Sequence, residues 1–204
     1  LVLLSKNNTL LNNNLSNNNG GLILDETGSS KNNYLIYNNS FGEIRWLEET
    51  NLTIVENETT LALGINPIIN NNSIDLNSTA ITSLNKSANL SFYGVSITGS
   101  AVAFRDDSIC VGVCGDLTIV SNSYYFNVSQ FTNYSIGSFD CGETLNFSTT
   151  LNTNLSCSGT GVNIGANNIV LDCNDYTINY SNSGSGGYAI NNTAGYDNVT
   201  IQNC

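Results

Sequence analysis

The 204-residue chain contains no histidine, no methionine and a single proline, and only five of its side chains are cationic: Lys6, Lys31, Arg45, Lys86 and Arg105. Each shortage removes a class of function. Without His or Met, a histidine base, a zinc site built on imidazole and a methionine-lined copper site are all excluded. With a formal net charge of −11, the chain repels a phosphate backbone instead of neutralising it, so nucleic acid is a poor partner. No apolar run is long enough to span a bilayer, and the four residues Leu1-Val2-Leu3-Leu4 are too short for a signal-peptide core. The sequence does not begin with Met, which suggests either a processed chain or a piece of a longer one.

What is abundant is asparagine, with 37 Asn, 24 Ser, 19 Thr and 18 Gly. These residues supply tight corners, while the Val, Ile, Leu, Tyr and Thr between them supply strands. Apolar residues never accumulate at a 3.6-residue period, so the expected fold class is all-β. Six cysteines, an even number, fit an oxidising compartment. Sixteen Asn-x-Ser/Thr acceptor patterns begin at Asn7, Asn14, Asn38, Asn51, Asn57, Asn71, Asn77, Asn85, Asn89, Asn127, Asn133, Asn146, Asn154, Asn179, Asn191 and Asn198. Chance combination of this composition gives roughly eight, so covalent N-glycans and an extracellular, cell-surface location are expected.

Two kinds of segment alternate along the chain. Lys6-Asn7-Asn8-Thr9-Leu10-Leu11-Asn12-Asn13-Asn14 aligns with Lys31-Asn32-Asn33-Tyr34-Leu35-Ile36-Tyr37-Asn38-Asn39, and Gly21-Leu22-Ile23-Leu24-Asp25 lies between them. Short apolar strands between Asn-rich corners are what a solenoid requires, because each unit buries its inner face only against its neighbours. Leu10, Ile23, Leu35 and Ile36 are the candidate inward positions, and Asn side chains at equivalent corners would form an amide ladder. A low-complexity Asn-rich tail is the alternative. Residues 1–47 are therefore expected to be terminal coils of a parallel β-helix, with Trp46 packing the seam to the next domain.

Residues 48–138 change pattern. Strands are expected at 52–55, 60–63, 73–76, 88–92, 101–105, 117–120, 124–128 and 134–136, a spacing that suggests an Ig-like β-sandwich. Cys110 and Cys114 bracket Val111-Gly112-Val113, and a disulfide at a loop tip explains them better than a metal or redox pair. Asp106, Asp107 and Asp116 flank this loop and are the candidate Ca²⁺ ligands, with simple solvation as the alternative.

From residue 139 the solenoid signal returns, and Asn168-Ile169-Val170-Leu171-Asp172-Cys173 is echoed by Asn198-Val199-Thr200-Ile201-Gln202-Asn203-Cys204. With Cys141-Gly142 and a Cys-bearing strand at Leu155-Ser156-Cys157, this region resembles the opening coils of secreted right-handed parallel β-helix (pectate-lyase-like) proteins common in archaea. Asp175-Tyr176 stands where that family carries Gly-His. Tyr125 to Ser135 likewise resembles the closing strands of the β-sandwich modules that alternate with such helices. The resemblance implies fold and surface location but no activity. In a stacked coil Cys173 and Cys204 would pair, leaving Cys141 with Cys157, the preferred one of three connectivities.

A lyase acting on uronic acids needs a cationic base or Ca²⁺, yet residues 137–204 contain no Lys, Arg or His. For a glycoside hydrolase, Asp172, Asp175 and Asp197 are the carboxylates to test, with corner capping as the preferred role. The expected function is structural and non-enzymatic: a subunit of an extracellular filament, appendage, sheath or surface-layer-associated adhesin. Its expected partner is another copy, head to tail through exposed β-helix ends. A carbohydrate-binding adhesion module using Tyr124, Tyr125, Tyr188 and Tyr196 toward surface glycans is the alternative, and a polysaccharide-degrading enzyme the third reading.

Overall fold

The computed structural model describes residues 35–48, 66–184 and 186–204. Among these residues there is no α-helix, only one 3₁₀ turn at Thr82–Leu84, and the strands form several open sheets. The chain divides into two compact units: residues up to Ser96 together with Ala103–Ile136, and Ile97–Val102 together with Gly137–Cys204.

The strands of the first half of the chain are β1 (Ile36–Asn39), β2 (Gly42–Trp46), β3 (Ile68–Ile69), β4 (Ser73–Asp75), β5 (Ala88–Tyr93), β6 (Ser100–Arg105), β7 (Ser108–Ile109), β8 (Thr118–Val120), β9 (Ser123–Val128) and β10 (Asn133–Phe139). They form two five-stranded sheets, in the orders β1-β2-β5-β9-β8 and β3-β4-β10-β6-β7. Every pairing in the first sheet is antiparallel.

Alternation decides which faces of that sheet are dry. Ile44, Leu90 and Phe126 are level with one another on β2, β5 and β9, and all three are buried. The next inward position on β2, Trp46, is also buried. Its indole N–H donates to the Leu84 carbonyl at 3.0 Å, and its ring stacks on Phe131 at 5.4 Å. Phe126 meets Tyr134 of the second sheet edge-on at 6.1 Å, and Phe131 meets Tyr134 at 6.2 Å. Aromatic pairs of this kind contribute ~1 kcal/mol each beyond the area they bury.

These contacts correct two expectations. The described part of 1–47 is not a parallel coil: Leu35-Ile36-Tyr37 enters an antiparallel hairpin whose second strand pairs with β5. Trp46 therefore lies inside the first unit's core and marks no seam. An apolar triplet flanked by Asn suits a hairpin as well as a coil, and Ser40-Phe41 supplied the turn. Leu35 is buried and Ile36 half-buried, while Leu10 and Ile23 fall outside the described residues. Six of the eight strands expected in the middle segment are present with ends shifted by a few residues at most, and 52–55 and 60–63 lie outside the described residues.

The second unit is organised differently. Its further strands are β11 (Thr144–Leu145), β12 (Thr149–Thr150), β13 (Leu155–Ser156), β14 (Val162–Ile164), β15 (Val170–Asp172), β16 (Ile178–Asn179), β17 (Ile190–Asn191) and β18 (Thr200–Gln202). They build three sheets, β11-β14-β17, β12-β15-β18 and β13-β16, and every pair is parallel. The chain thus visits three columns in turn and returns to the first, adding one rung each time. Inside, Leu145, Leu155, Val162, Ile164 and Leu171 are buried, as are Cys157 and Cys173. Leu171 is fully buried between Thr149 and Ile201, whereas Ile201 on the last rung is 39% exposed.

Candidate functional site

The chemistry of the second unit is concentrated at its corners. Asn168 and Asn198, thirty residues apart, enter β15 and β18 with φ of 59° and 56°. Asn adopts this left-handed conformation more readily than other non-Gly residues. Stacked in that geometry, the Asn198 amide donates to Asn168 Oδ1 at 2.8 Å. Beside them Asn167 Oδ1 accepts the Asp197 backbone N–H at 2.7 Å. In the next column the Asn191 amide donates to Asn163 Oδ1 at 2.9 Å, and the Asn163 amide to the Gly142 carbonyl at 2.7 Å. The amide ladder reasoned for the N-terminal repeats thus stands in the C-terminal stack.

Asp172 is the acceptor hub of the last corner. Its carboxylate receives the Gln202 amide at 2.8 Å, the Asn203 amide at 3.0 Å and the Asn174 backbone N–H at 2.9 Å. The Asn203 and Gln202 amides hold it below the usual carboxylate range. A general acid needs the opposite shift, so Asp172 is suited to capping. Asp175 and Asp197 enter the same corners through their backbones, Asp175 N–H donating to the Asn203 carbonyl and the Asp197 carbonyl accepting from Asn168 N–H.

Three disulfides are formed: Cys110–Cys114, Cys141–Cys157 and Cys173–Cys204. The last joins two successive rungs with Cα atoms 4.8 Å apart. Its cysteines are not level, because Asp172 pairs with Gln202 and places Asn203 opposite Cys173. The left-handed turn at Asn203, φ 54°, brings Cys204 back over its partner.

The two ends of the stack differ. Between β12 and β13, Asn152 clamps the Ser100–Ala101 backbone: its Oδ1 accepts Ala101 N–H at 2.8 Å and its amide donates to the Ala101 carbonyl at 2.6 Å. Ser100 Oγ then accepts the Asn152 backbone N–H at 3.1 Å. This clamp joins residues 51 apart in sequence, and no sequence pattern announced it. The strands of the first rung and of the last each pair on one side only among the described residues, but Leu145, Leu151 and Leu155 of the first turn are buried, whereas Ile178 and Ile190 of the last are half-buried and Ile201 is exposed.

The other candidates scatter. Asp106 and Asp107 form the two-residue loop between β6 and β7 with φ of 49° and 61°, the geometry of a type I′ hairpin turn. The Asp106 carboxylate is occupied by Thr132 and lies 3.6 Å from Arg105. Among the described residues no group of three His, Cys, Asp or Glu side chains gathers in metal-binding geometry. Tyr124 is buried in β9 and leaves the set of exposed aromatics, Tyr125 and Tyr196 are half-buried, and Tyr188 is exposed. Tyr180, also exposed, was missed. A shallow surface groove of ≈ 340 Å³ in the first unit, lined by Leu47, Val113, Cys114, Asn127 and Val128 among others, contains no titratable side chain. None of the twelve described N-glycosylation patterns has a buried Asn.

Comparison with protein-family models, with curated proteins and with solved structures finds no match.

Proposed function

We propose that this chain is a structural component of an extracellular surface assembly, a filament, sheath, appendage or surface-layer-associated adhesin. In this reading the second unit forms the first coils of a right-handed parallel β-helix and the first unit is an Ig-like β-sandwich. The resemblance of 168–178 and 198–204 to archaeal secreted β-helix proteins supports that assignment and an archaeal origin. The observation that carries the proposal is the open edges of the rung stack. Among the described residues β11, β12 and β13 on the first rung and β16, β17 and β18 on the last each pair on one side only, and Ile201 on the last rung is partly uncovered.

Unpaired N–H and C=O groups on such an edge recruit another strand. A further parallel rung contributed by a second copy extends the stack head to tail, and a heterologous contact of this kind does not close. Backbone ladders, side-chain amides and the inter-rung disulfide resist pulling along the stack, while glycans on exposed Asn shield the surface. Electron microscopy of the disulfide-intact protein tests the reading: ordered polymers are expected, and uniformly monomeric particles at high concentration overturn it.

A carbohydrate-binding role is the second reading, favoured by the exposed rings of Tyr180 and Tyr188. Binding to surface glycans that disappears in Tyr188→Ala would establish it. The Asp172 carboxylate is occupied by three corner hydrogen bonds, which makes a glycan-cleaving enzyme the weakest of the three.

A further inference from the structure

Six of the twelve described acceptor asparagines fall into two chemical groups once their side-chain hydrogen bonds are followed. In the first, the side-chain oxygen is engaged and the amide nitrogen has no partner among the described residues. Asn77 Oδ1 accepts the hydroxyl of Thr79, two residues on, at 2.7 Å and the Ala80 N–H at 3.1 Å. Asn85 Oδ1 accepts Phe131 N–H at 2.7 Å, and Asn154 Oδ1 accepts Thr177 N–H at 2.8 Å. All three residues are exposed and lie outside strands.

In the second group the nitrogen itself is committed. Asn89 Nδ2 donates across the sheet to Asn127 at 2.9 Å, Asn191 Nδ2 to Asn163 at 2.9 Å and Asn198 Nδ2 to Asn168 at 2.8 Å. A sugar on any of these nitrogens must share its space with an amide under 3 Å away, on strands ~4.8 Å apart.

We propose that Asn77, Asn85 and Asn154 are N-glycan attachment sites of the folded protein, whereas Asn89, Asn191 and Asn198 are withheld by the cross-strand bonds their nitrogens make. The transfer forms a bond from Nδ2 to the anomeric carbon of a sugar carried on a polyisoprenyl pyrophosphate. The bond from that carbon to the pyrophosphate oxygen breaks, the lipid pyrophosphate leaves, and the amide nitrogen loses one proton. The structural role of the amide and its role as acceptor thus compete for one atom. This inference deepens the extracellular reading and rests on it for its biological setting.

The test compares the full chain, folded with its disulfides intact, with the same chain reduced, alkylated and unfolded. Each is incubated with oligosaccharyltransferase and a lipid-linked oligosaccharide, and site occupancy is read by peptide mass spectrometry. In the folded chain, modification of Asn77 is expected to exceed that of Asn198 by about fivefold, the weight of one amide hydrogen bond. In the unfolded chain the two sites should become comparable. Equal modification of Asn77 and Asn198 in the folded chain, no modification of Asn77 there, or the same preference in the unfolded chain overturns the proposal. None of these outcomes depends on where the protein resides, so failure here is separable from failure of the surface-assembly reading, which microscopy decides.

Discussion

The corner at Asn168 separates two contributions that are usually entangled. Its backbone sits at φ 59°, and its side chain accepts the Asn198 amide at 2.8 Å. Asn168→Gly keeps the conformation accessible and removes only the ladder bond, so the loss should be about 1 kcal/mol, the net worth of one neutral hydrogen bond. Asn168→Ala removes the same bond and also forces a Cβ-bearing residue without a compensating polar side chain into the left-handed region, adding about 1–2 kcal/mol. The expected order of stability is wild type, then Gly, then Ala, with Ala lower by about 2–3 kcal/mol in total. Urea unfolding followed by circular dichroism measures this, provided the slope of the transition is unchanged across the three proteins. If Ala is as stable as Gly, backbone geometry does not explain why Asn occupies this corner. If neither differs from wild type, the ladder contributes nothing to stability.

Three further outcomes are expected. Replacing both Cys173 and Cys204 by Ala opens a link between residues 31 apart, which chain-entropy reasoning values at about 3.5 kcal/mol. Exchange of the backbone amide at position 173, which donates to the Gln202 carbonyl, should accelerate in that variant before the β5–β9 amides do, and unchanged exchange there would refute a locking role. Burial pushes the Tyr134 hydroxyl, which donates to the Gln130 carbonyl at 2.6 Å, up to about 12. The neutral phenol is the folded form, so its stabilisation is complete below the ordinary value of 10.0 and is lost as pH rises toward 12; Tyr134→Phe should be less stable at neutral pH and flatter across that alkaline window. Asp172 has the opposite sign: its lowered pKa stabilises the fold above the ordinary value of 3.8 and loses that effect as pH falls, so Asp172→Asn should flatten the acid limb of a melting-temperature profile. An unchanged acid limb would remove Asp172 from the corner network.

The parts of the fold that were legible in the sequence are those with a local period or a local partner. The alternation of Tyr124, Phe126 and Val128 with Tyr125, Asn127 and Ser129 places β9 and its buried face, although it also misled, since Tyr124 belongs to the inward set and could not be an exposed binding ring. The echo of 168–173 at 198–204 carries both the rung spacing and the Cys173–Cys204 link. The direction of pairing was not legible at Leu35-Ile36-Tyr37, because a three-residue apolar run has no period to tell a hairpin from a coil. Strands of two residues such as β3 and β7 were likewise invisible. The Asp106-Asp107 pair did carry a signal for a tight hairpin, but two adjacent carboxylates drew attention to cations first. The Asn152 clamp depends on residues distant in sequence, and only the folded chain brings them together.

The most direct test of the central claim is electron microscopy and fibre diffraction of the purified, disulfide-intact protein concentrated under native conditions. Head-to-tail stacking predicts elongated polymers with an axial reflection near ~4.8 Å, the spacing of parallel rungs. Particles that remain monomeric and show no such repeat would contradict it.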